Sequence, residues 1–371
     1  MSHGAQPGEA DREWMRRAVA QGALADRSVR PNPPVGCVLV VEGQLVGEGH
    51  HERLGGPHAE VRALEMAGRR ARGATAYVTM EPCNHHGRTP PCVDALLAAG
   101  VARVVIAVAD PNPPASGGAA RLRAAGVQVT SGVESAAAER LAEVFLINQR
   151  QRRPFVRLKM AATLDGRTAA RDGSSRWLTG PEARLQVHRW RAQADAVMVG
   201  SGTALADDPS LDLRHGVLGP LPVRVVVDRR LRVTADLRLA DTTEQATVVL
   251  CTPGSHGSAA ARALVAAGVE LVPVAAPEDT WLRVALGRLH ERGHCEVLVE
   301  GGATLAGALL RAGLVDCLEL MLAPKLLGAG AGLWRDLGID TLADALHLHI
   351  DQVQRLGPDI HISATPGDSG D

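Results

Sequence analysis

Gly55-Gly-Pro-His58-Ala-Glu60 and Glu81-Pro-Cys83-Asn-His-His-Gly-Arg-Thr-Pro-Pro-Cys92 are the two stretches on which the reading of this chain turns. A helical pattern from His58 to Ala71 and an apolar strand from Ala76 to Met80 lie between them, and Pro91 to Ala99 carries helical spacing again. Outward toward the N-terminus, Trp14 to Gly22 has the apolar spacing of a helix. Val35-Gly-Cys-Val-Leu-Val-Val41 reads as a buried strand ending in the turn Glu42-Gly43, followed by Leu45-Val46 and a loop to Gly56. Outward in the other direction come strands at Val104 to Ala109 and Val127 to Thr130, then a helix at Ala136 to Gln149. Strands alternating with helices predict a layered α/β sandwich.

The same stretches carry chemistry. A histidine and a glutamate two residues apart at a helix start, followed by two Pro-Cys pairs, is the arrangement of zinc deaminases. One imidazole (His58) and two thiolates (Cys83, Cys92) hold zinc with a fourth position open, which lowers the pKa of a bound water. Glu60 is then the catalytic proton shuttle rather than a ligand. Cys92 falls in the first turn of its helix, where unpaired N–H groups and the dipole favour a thiolate. The competing reading is a closed structural zinc site with His85 or His86 as fourth ligand, which leaves Glu60 without a purpose.

Composition narrows the partners. A net charge of −1 gives no general attraction to nucleic-acid phosphates, and aromatic residues are only 2% of 371 residues, so stacking platforms for single strands are scarce. A small-molecule substrate is expected, with no nucleic acid and no membrane. The polar segment Met1 to Asp11 lacks the apolar stretch of a secretory signal, so a cytoplasmic location is expected. In that reducing setting the six cysteines are poor disulfide candidates. Cys83 and Cys92 alone are closely spaced; Cys37, Cys251, Cys295 and Cys317 read as core residues.

The length calls for two domains. Arg150-Gln-Arg-Arg-Pro154, charged and ended by proline, is the linker candidate, dividing a domain of residues 10–149 from one of 154–362. The second carries strands predicted at Phe155 to Met160, Ala196 to Val199, Val223 to Val227, Ala246 to Leu250, Glu270 to Val274, Glu296 to Val299 and Leu318 to Leu322. Helices are predicted at Pro181 to Ala194, Ser258 to Ala267, Trp281 to Arg292 and Leu305 to Ala312. The tail after Ser363 is expected to fray. Glu300-Gly-Gly302 between strand and helix suits a backbone that approaches a phosphate, although such turns are structurally ordinary. No Gly-x-Gly-x-x-Gly follows a strand, which disfavours the doubly wound dinucleotide fold.

Nucleic-acid deaminases separate the two cysteines by two residues; here eight intervene. With Asn32-Pro-Pro-Val-Gly36, Gly47-Glu-Gly-His-His51, Asp110-Pro-Asn-Pro113, Lys159-Met-Ala-Ala-Thr-Leu-Asp-Gly-Arg167, Ser175-Arg-Trp177, Asp207-Asp-Pro209 and Glu300-Gly-Gly302, the chain closely resembles the bifunctional riboflavin-biosynthesis deaminase/reductases over nearly its whole length. The resemblance implies a cytidine-deaminase-like three-layer α/β/α domain followed by a dihydrofolate-reductase-like α/β domain. It implies zinc-dependent deamination of a diaminopyrimidinone phosphoribosylamine, then NADPH-dependent reduction of its ribose to ribitol, and a homo-oligomer, dimer or tetramer.

It further implies that Asn32 touches the pyrimidine, with His51 and Arg88 reaching substrate, its phosphate included. Asn32 also reads as a turn residue between prolines, and His51 and Arg88 as solvated loop positions. NADPH is expected near Ala161, Trp177, Thr203, Asp207 and the Gly301, Gly302, Ala303, Thr304, Leu305 turn. The second substrate site is expected to use Lys159, Ser175, Arg191, Leu211, Arg214 and Glu300. Arg191 and Arg214 suit phosphate because a guanidinium fork matches its oxygens, but Arg184, Arg189 and Arg191 cannot be told apart by spacing. Two departures stand out. Pro114-Ala-Ser-Gly-Gly-Ala119 lacks a basic residue the family often carries there, and Ala142 and Asn148 fall where the interdomain helix varies.

Overall fold

The computed structural model describes residues 8–367 apart from 256 and 336. The chain divides between Arg152 and Arg153 into two compact units.

The first unit has the element order α1 (Glu9–Gly22), β1 (Gly36–Val41), β2 (Gln44–His50), α2 (Ala59–Ala67), β3 (Thr75–Met80), α3 (Cys92–Ala99), β4 (Arg103–Val108), α4 (Gly118–Ala124), β5 (Gln128–Ser131), α5 (Ser135–Leu141) and α6 (Glu143–Gln151). Its sheet runs β2-β1-β3-β4-β5, antiparallel across β2, β1 and β3 and parallel from β3 to β5. The alternation of side chains along each strand sorts the core into two layers. Cys37, Leu39, Val78, Val104 and Ile106 pack beneath α2, α3 and α4. Val38, Val40, Tyr77, Val105 and Ala107 face α1 and α5. This is the three-layer arrangement expected. Arg103 clasps Asp11 of α1 with bonds of 2.8 and 2.9 Å, and the Tyr77 hydroxyl donates to the same carboxylate at 3.0 Å.

The helix expected from His58 to Ala71 stops at Ala67, because Gly68 turns to φ +56 and a 3-10 turn follows. The helix expected from Ala136 to Gln149 is two, broken at Ala142, where φ −98 and ψ 12 leave the helical region.

The second unit contains β6 (Phe155–Thr163), β7 (Arg167–Ala169), α7 (Pro181–Gln193), β8 (Ala196–Gly200), α8 (Ser201–Asp207), β9 (Val223–Val227), β10 (Thr247–Cys251), α9 (Ala259–Ala266), β11 (Glu270–Pro273), α10 (Trp281–His290), β12 (Glu296–Glu300), α11 (Ala303–Arg311), β13 (Cys317–Ala323), β14 (Ala331–Gly332), β15 (Leu348–Leu356) and β16 (Asp359–Pro366). Nine strands form one sheet in the order β11-β10-β9-β8-β12-β6-β13-β16-β15, parallel as far as β13 and antiparallel thereafter. Core residues of α10 and α11 pack on one face and those of α7 and α9 on the other. Each of the seven strands read from the apolar runs is present. The hairpin β15–β16 was not anticipated, and it corrects the frayed tail: β16 continues to Pro366 with Ala364 buried. Residues 368–371 lie outside the described residues.

Candidate deaminase and reductase sites

In the first unit the site assembles at two helix starts. His58 is the N-cap of α2, Glu60 lies in its first turn, and Cys92 opens α3; Cys83 follows β3 in the loop between. The ligand atoms of His58, Cys83 and Cys92 all lie within 4.8 Å of one another, a cluster that includes neither His85 nor His86. His58 Nδ1 is 3.2 Å from Cys92 Sγ and 3.6 Å from Cys83 Sγ. Zinc bonded tetrahedrally to nitrogen at ~2.0 Å and sulfur at ~2.3 Å requires N···S separations of ~3.6 Å, so the residues fit the ion. The Cys92 amide donates to Cys83 Sγ at 3.3 Å. The Cys92 side-chain contact, aided by His58, pulls the Cys83 thiol down to about 4. Glu60 is 3% exposed, and burial pushes its carboxyl above the usual range.

A cavity of about 370 Å³ opens over this cluster, lined by Asn32, His51, His58, Glu60, Cys83 and Arg88 among others. The sequence-predicted substrate residues of this unit therefore share one space with the metal cluster. His51 is buried and its ring lies edge-on to His58 at 5.1 Å between centroids. Its Nδ1 is 3.2 Å from the Pro57 carbonyl, which can only accept, so that nitrogen carries the proton and Nε2 accepts from Asn32 Nδ2 at 3.3 Å. The amide oxygen of Asn32 is thereby oriented. Burial holds His51 below the usual histidine range.

Reasoning from the sequence assigned no role to Glu81, Thr89, Asp110 or Asn112, which line the same cavity. Glu81 accepts from the amides of Asp110 (3.3 Å) and Ala119 (2.8 Å), tying the loop after β4 to the strand that leads to Cys83. The Asp110-Pro-Asn-Pro run was the available signal. In the same loop a Cβ on Gly118 would meet the Pro82 carbonyl oxygen at 1.9 Å, so the chain passes too close there for a side chain.

In the second unit β12 inserts between β8 and β6, a reversal of strand order of the kind at which open α/β sheets bind ligands. Lys159 and Glu300 are register partners on β6 and β12. Arg191 of α7 grips Glu300 with two bonds, 2.5 and 2.9 Å, and gives a third to the Asp212 carbonyl at 2.9 Å. Burial alone raises Glu300; the Arg191 charge and hydrogen bonds outweigh it and hold the carboxylate below its usual range. Burial pushes the Lys159 ammonium down, against the opposing pull of Glu300.

The three arginines are now distinct. Arg191 is committed to Glu300, Arg184 stacks over Trp177 at 4.7 Å, and Arg189 is exposed. Arg214 pairs with Asp212 at 2.9 Å and stays half exposed. Its amide donates to His188 Nδ1 at 3.1 Å; burial, then the Arg191 charge, draws His188 down to about 4. Leu211 is buried at φ +52.

Gly301 and Gly302 adopt φ +84 and +81, and a Cβ on Gly302 meets Thr203 Oγ1 at 2.9 Å. The turn thus sits against the start of α8, with Ala303, Thr304 and Leu305 opening α11. Ala161 packs on the core beneath α7. Ser175 and Trp177 lie on an exposed segment, and Arg176 joins it to the Asp207 carbonyl at 2.7 Å.

Comparison with known proteins agrees in both halves. The cytidine and deoxycytidylate deaminase zinc-binding region matches residues 8–108, and the RibD C-terminal domain matches residues 154–362. The riboflavin biosynthesis protein RibD of Escherichia coli is 44% identical over 368 residues, covering 94% of this chain and 98% of that protein. Its counterpart in Mycobacterium tuberculosis is 44% identical over 357 residues, covering 95% and 96%. Among solved structures, Acinetobacter baumannii RibD superimposes with a TM-score of 0.85 at 38% identity, covering 97% of this chain and 99% of that one. A Thermotoga maritima diaminohydroxyphosphoribosylaminopyrimidine deaminase/5-amino-6-(5-phosphoribosylamino)uracil reductase does so with 0.83 at 34%, with the same coverage.

Proposed function

The chain belongs to the RibD family of bifunctional riboflavin-biosynthesis deaminase/reductases, and from that premise we propose that its first unit deaminates 2,5-diamino-6-(5-phosphoribosylamino)pyrimidin-4-one and its second reduces the product's ribosyl group with NADPH. The observation that carries this reading is the single cavity holding His58, Cys83 and Glu60 together with Asn32, His51 and Arg88.

His58, Cys83 and Cys92 would hold zinc, which when bound would supply the Lewis acidity that activates water. The work of the chain's own residues is proton movement and orientation. Hydrolysis forms a C–O bond at the ring carbon and breaks its C–N bond, so a proton must leave water and reach first the ring nitrogen, then the departing ammonia. Glu60, in the first turn of α2 and lining the cavity, carries both transfers in this reading, and burial raises its carboxyl above the usual range, which favours taking up a proton. Asn32, held by His51, presents its amide oxygen to ring N–H groups. Arg88, at the cavity wall beside the Leu54-Gly55 turn, supplies a cation for the phosphate.

In the second unit NADPH, when bound, supplies the hydride. The opened ribose presents C1′ as a carbonyl or imine. Glu300, aimed by Arg191, and Lys159 beside it hold the sugar in position, and Arg214 is the more available cation for the phosphate because Arg191 is committed. The positive-φ turn at Gly301 and Gly302 exposes backbone N–H groups at the start of α11 toward the cofactor phosphates.

Among the described residues no helix is long and apolar enough to cross a membrane. A homo-oligomer is also proposed, supported by β15, the outermost strand of its sheet, where Leu348, Ile350 and Val353 are 43, 58 and 60% exposed.

Incubating zinc-loaded protein with the diaminopyrimidinone, with and without NADPH, tests the assignment by following ammonia and NADPH absorbance together. Ammonia in both reactions and NADPH consumption in the second are expected; no ammonia in either overturns it.

A further inference from the structure

Of the 40 basic residues in this chain, 38 are arginine; the two lysines are Lys159 and Lys325. Where a positive charge or a hydrogen-bonding cation suffices, this sequence uses arginine. A lysine left in that background marks a place where a compact ammonium is required, one nitrogen whose three donors diverge from a single point. Lys159 stands at the second unit's site. Lys325 lies on the loop after β13, and its Nζ donates to two successive backbone carbonyls, Trp177 at 2.8 Å and Leu178 at 2.7 Å. The next carbonyl, Thr179, accepts from Arg184 at 2.7 Å, and the Arg184 guanidinium also covers the Trp177 ring.

We infer that Lys325 is a positioning residue for reduction: it fixes the Ser175–Leu178 segment so that Trp177 and Ser175 face cofactor and substrate. Its anchor is rigid. Leu164 N–H donates to the Lys325 carbonyl at 3.0 Å, and Asp165 accepts from the amides of Leu327 (3.2 Å) and Gly328 (2.6 Å), so the turn after β6 fastens the loop that carries the lysine. Trp177 is 64% exposed and contributes little burial of its own, so polar contacts hold the segment: its carbonyls to Lys325, and Arg176 to the Asp207 carbonyl. Two charge-assisted bonds from one nitrogen fix the direction of consecutive peptide planes, which a single contact cannot do. A guanidinium is longer and planar, and it cannot occupy the same point between both carbonyls without moving the segment.

The inference rests on the proposed reduction, and the bifunctional chain supplies its own control. Lys325→Met and Lys325→Arg are compared with wild type for ammonia release, for KM and kcat of NADPH oxidation on the deaminated product, and for tryptic cleavage after Arg176. The expected result for Lys325→Met is unchanged ammonia release, KM for NADPH raised at least about tenfold with a smaller change in kcat, and faster cleavage after Arg176 that saturating NADPH suppresses. Lys325→Arg keeps the charge and the fold and is expected to leave KM raised at least about fivefold. KM within twofold of wild type in both variants overturns the role of Lys325 while leaving the reductase reading intact. So does KM fully restored in the arginine variant, since charge alone then suffices. A wild type that never oxidises NADPH overturns the reductase reading and the inference with it.

Discussion

In the proposed mechanism deamination depends most directly on Glu60, a cavity carboxylate in the first turn of the histidine's helix and 3% exposed. Glu60→Gln preserves shape and removes the proton carrier. Ammonia release should fall about 10³-fold while zinc content, measured by metal analysis, is unchanged. At His188 the expectation concerns stability. Its folded pKa of about 4 lies below the unfolded value of about 6.5, so the unfolded chain binds the extra proton between these values. Stability is therefore fully present above about pH 6.5 and is lost as pH falls toward 4, by up to about 3 kcal/mol. Urea unfolding from pH 4 to 7, followed by tryptophan fluorescence, reads this slope, which His188→Asn should flatten. The gathering of His58, Cys83 and Cys92 was readable from the sequence because their spacing is itself the geometry: helix start, strand, helix start. The partnership of Arg191 with Glu300 was not, since three arginines share one helix and only packing decides which points at the sheet.

At the scale of elements, the turn between β12 and α11 makes a sharp demand. Gly302 needs φ +81, and any Cβ there presses on Thr203 Oγ1. Gly302→Ala should weaken NADPH binding at least about tenfold, measured by fluorescence titration, and leave ammonia release untouched. The elements that escaped the sequence share a physical cause. β15 is exposed along almost its whole length and alternates no apolar face against a core, so it lacks the pattern by which buried strands announce themselves. The break at Ala142 has neither glycine nor proline to mark it, and α4 is a short Ala/Arg helix whose start is set by the close approach of Gly118 to Pro82. Strands such as β8, β10 and β12 of the second unit and the β1, β3, β4 core of the first were legible because burial on both faces leaves continuous apolar runs.

For the whole molecule, two chemistries with separate requirements lie on one chain. Removing zinc with a chelator should abolish ammonia release and leave NADPH oxidation of the deaminated product within about twofold, because no residue of the metal cluster belongs to the second unit. Sedimentation should give a dimer or tetramer, and Ile350→Glu with Val353→Glu should shift it toward monomer. The central claim is that the two sites act in sequence on one substrate, and the Glu60→Gln protein tests it most directly when offered either the diaminopyrimidinone or its deaminated product in the presence of NADPH. Neither ammonia nor NADPH oxidation is expected with the first, and NADPH oxidation at the wild-type rate is expected with the second. NADPH oxidation at the wild-type rate with the diaminopyrimidinone would contradict it, since reduction would then not wait for deamination.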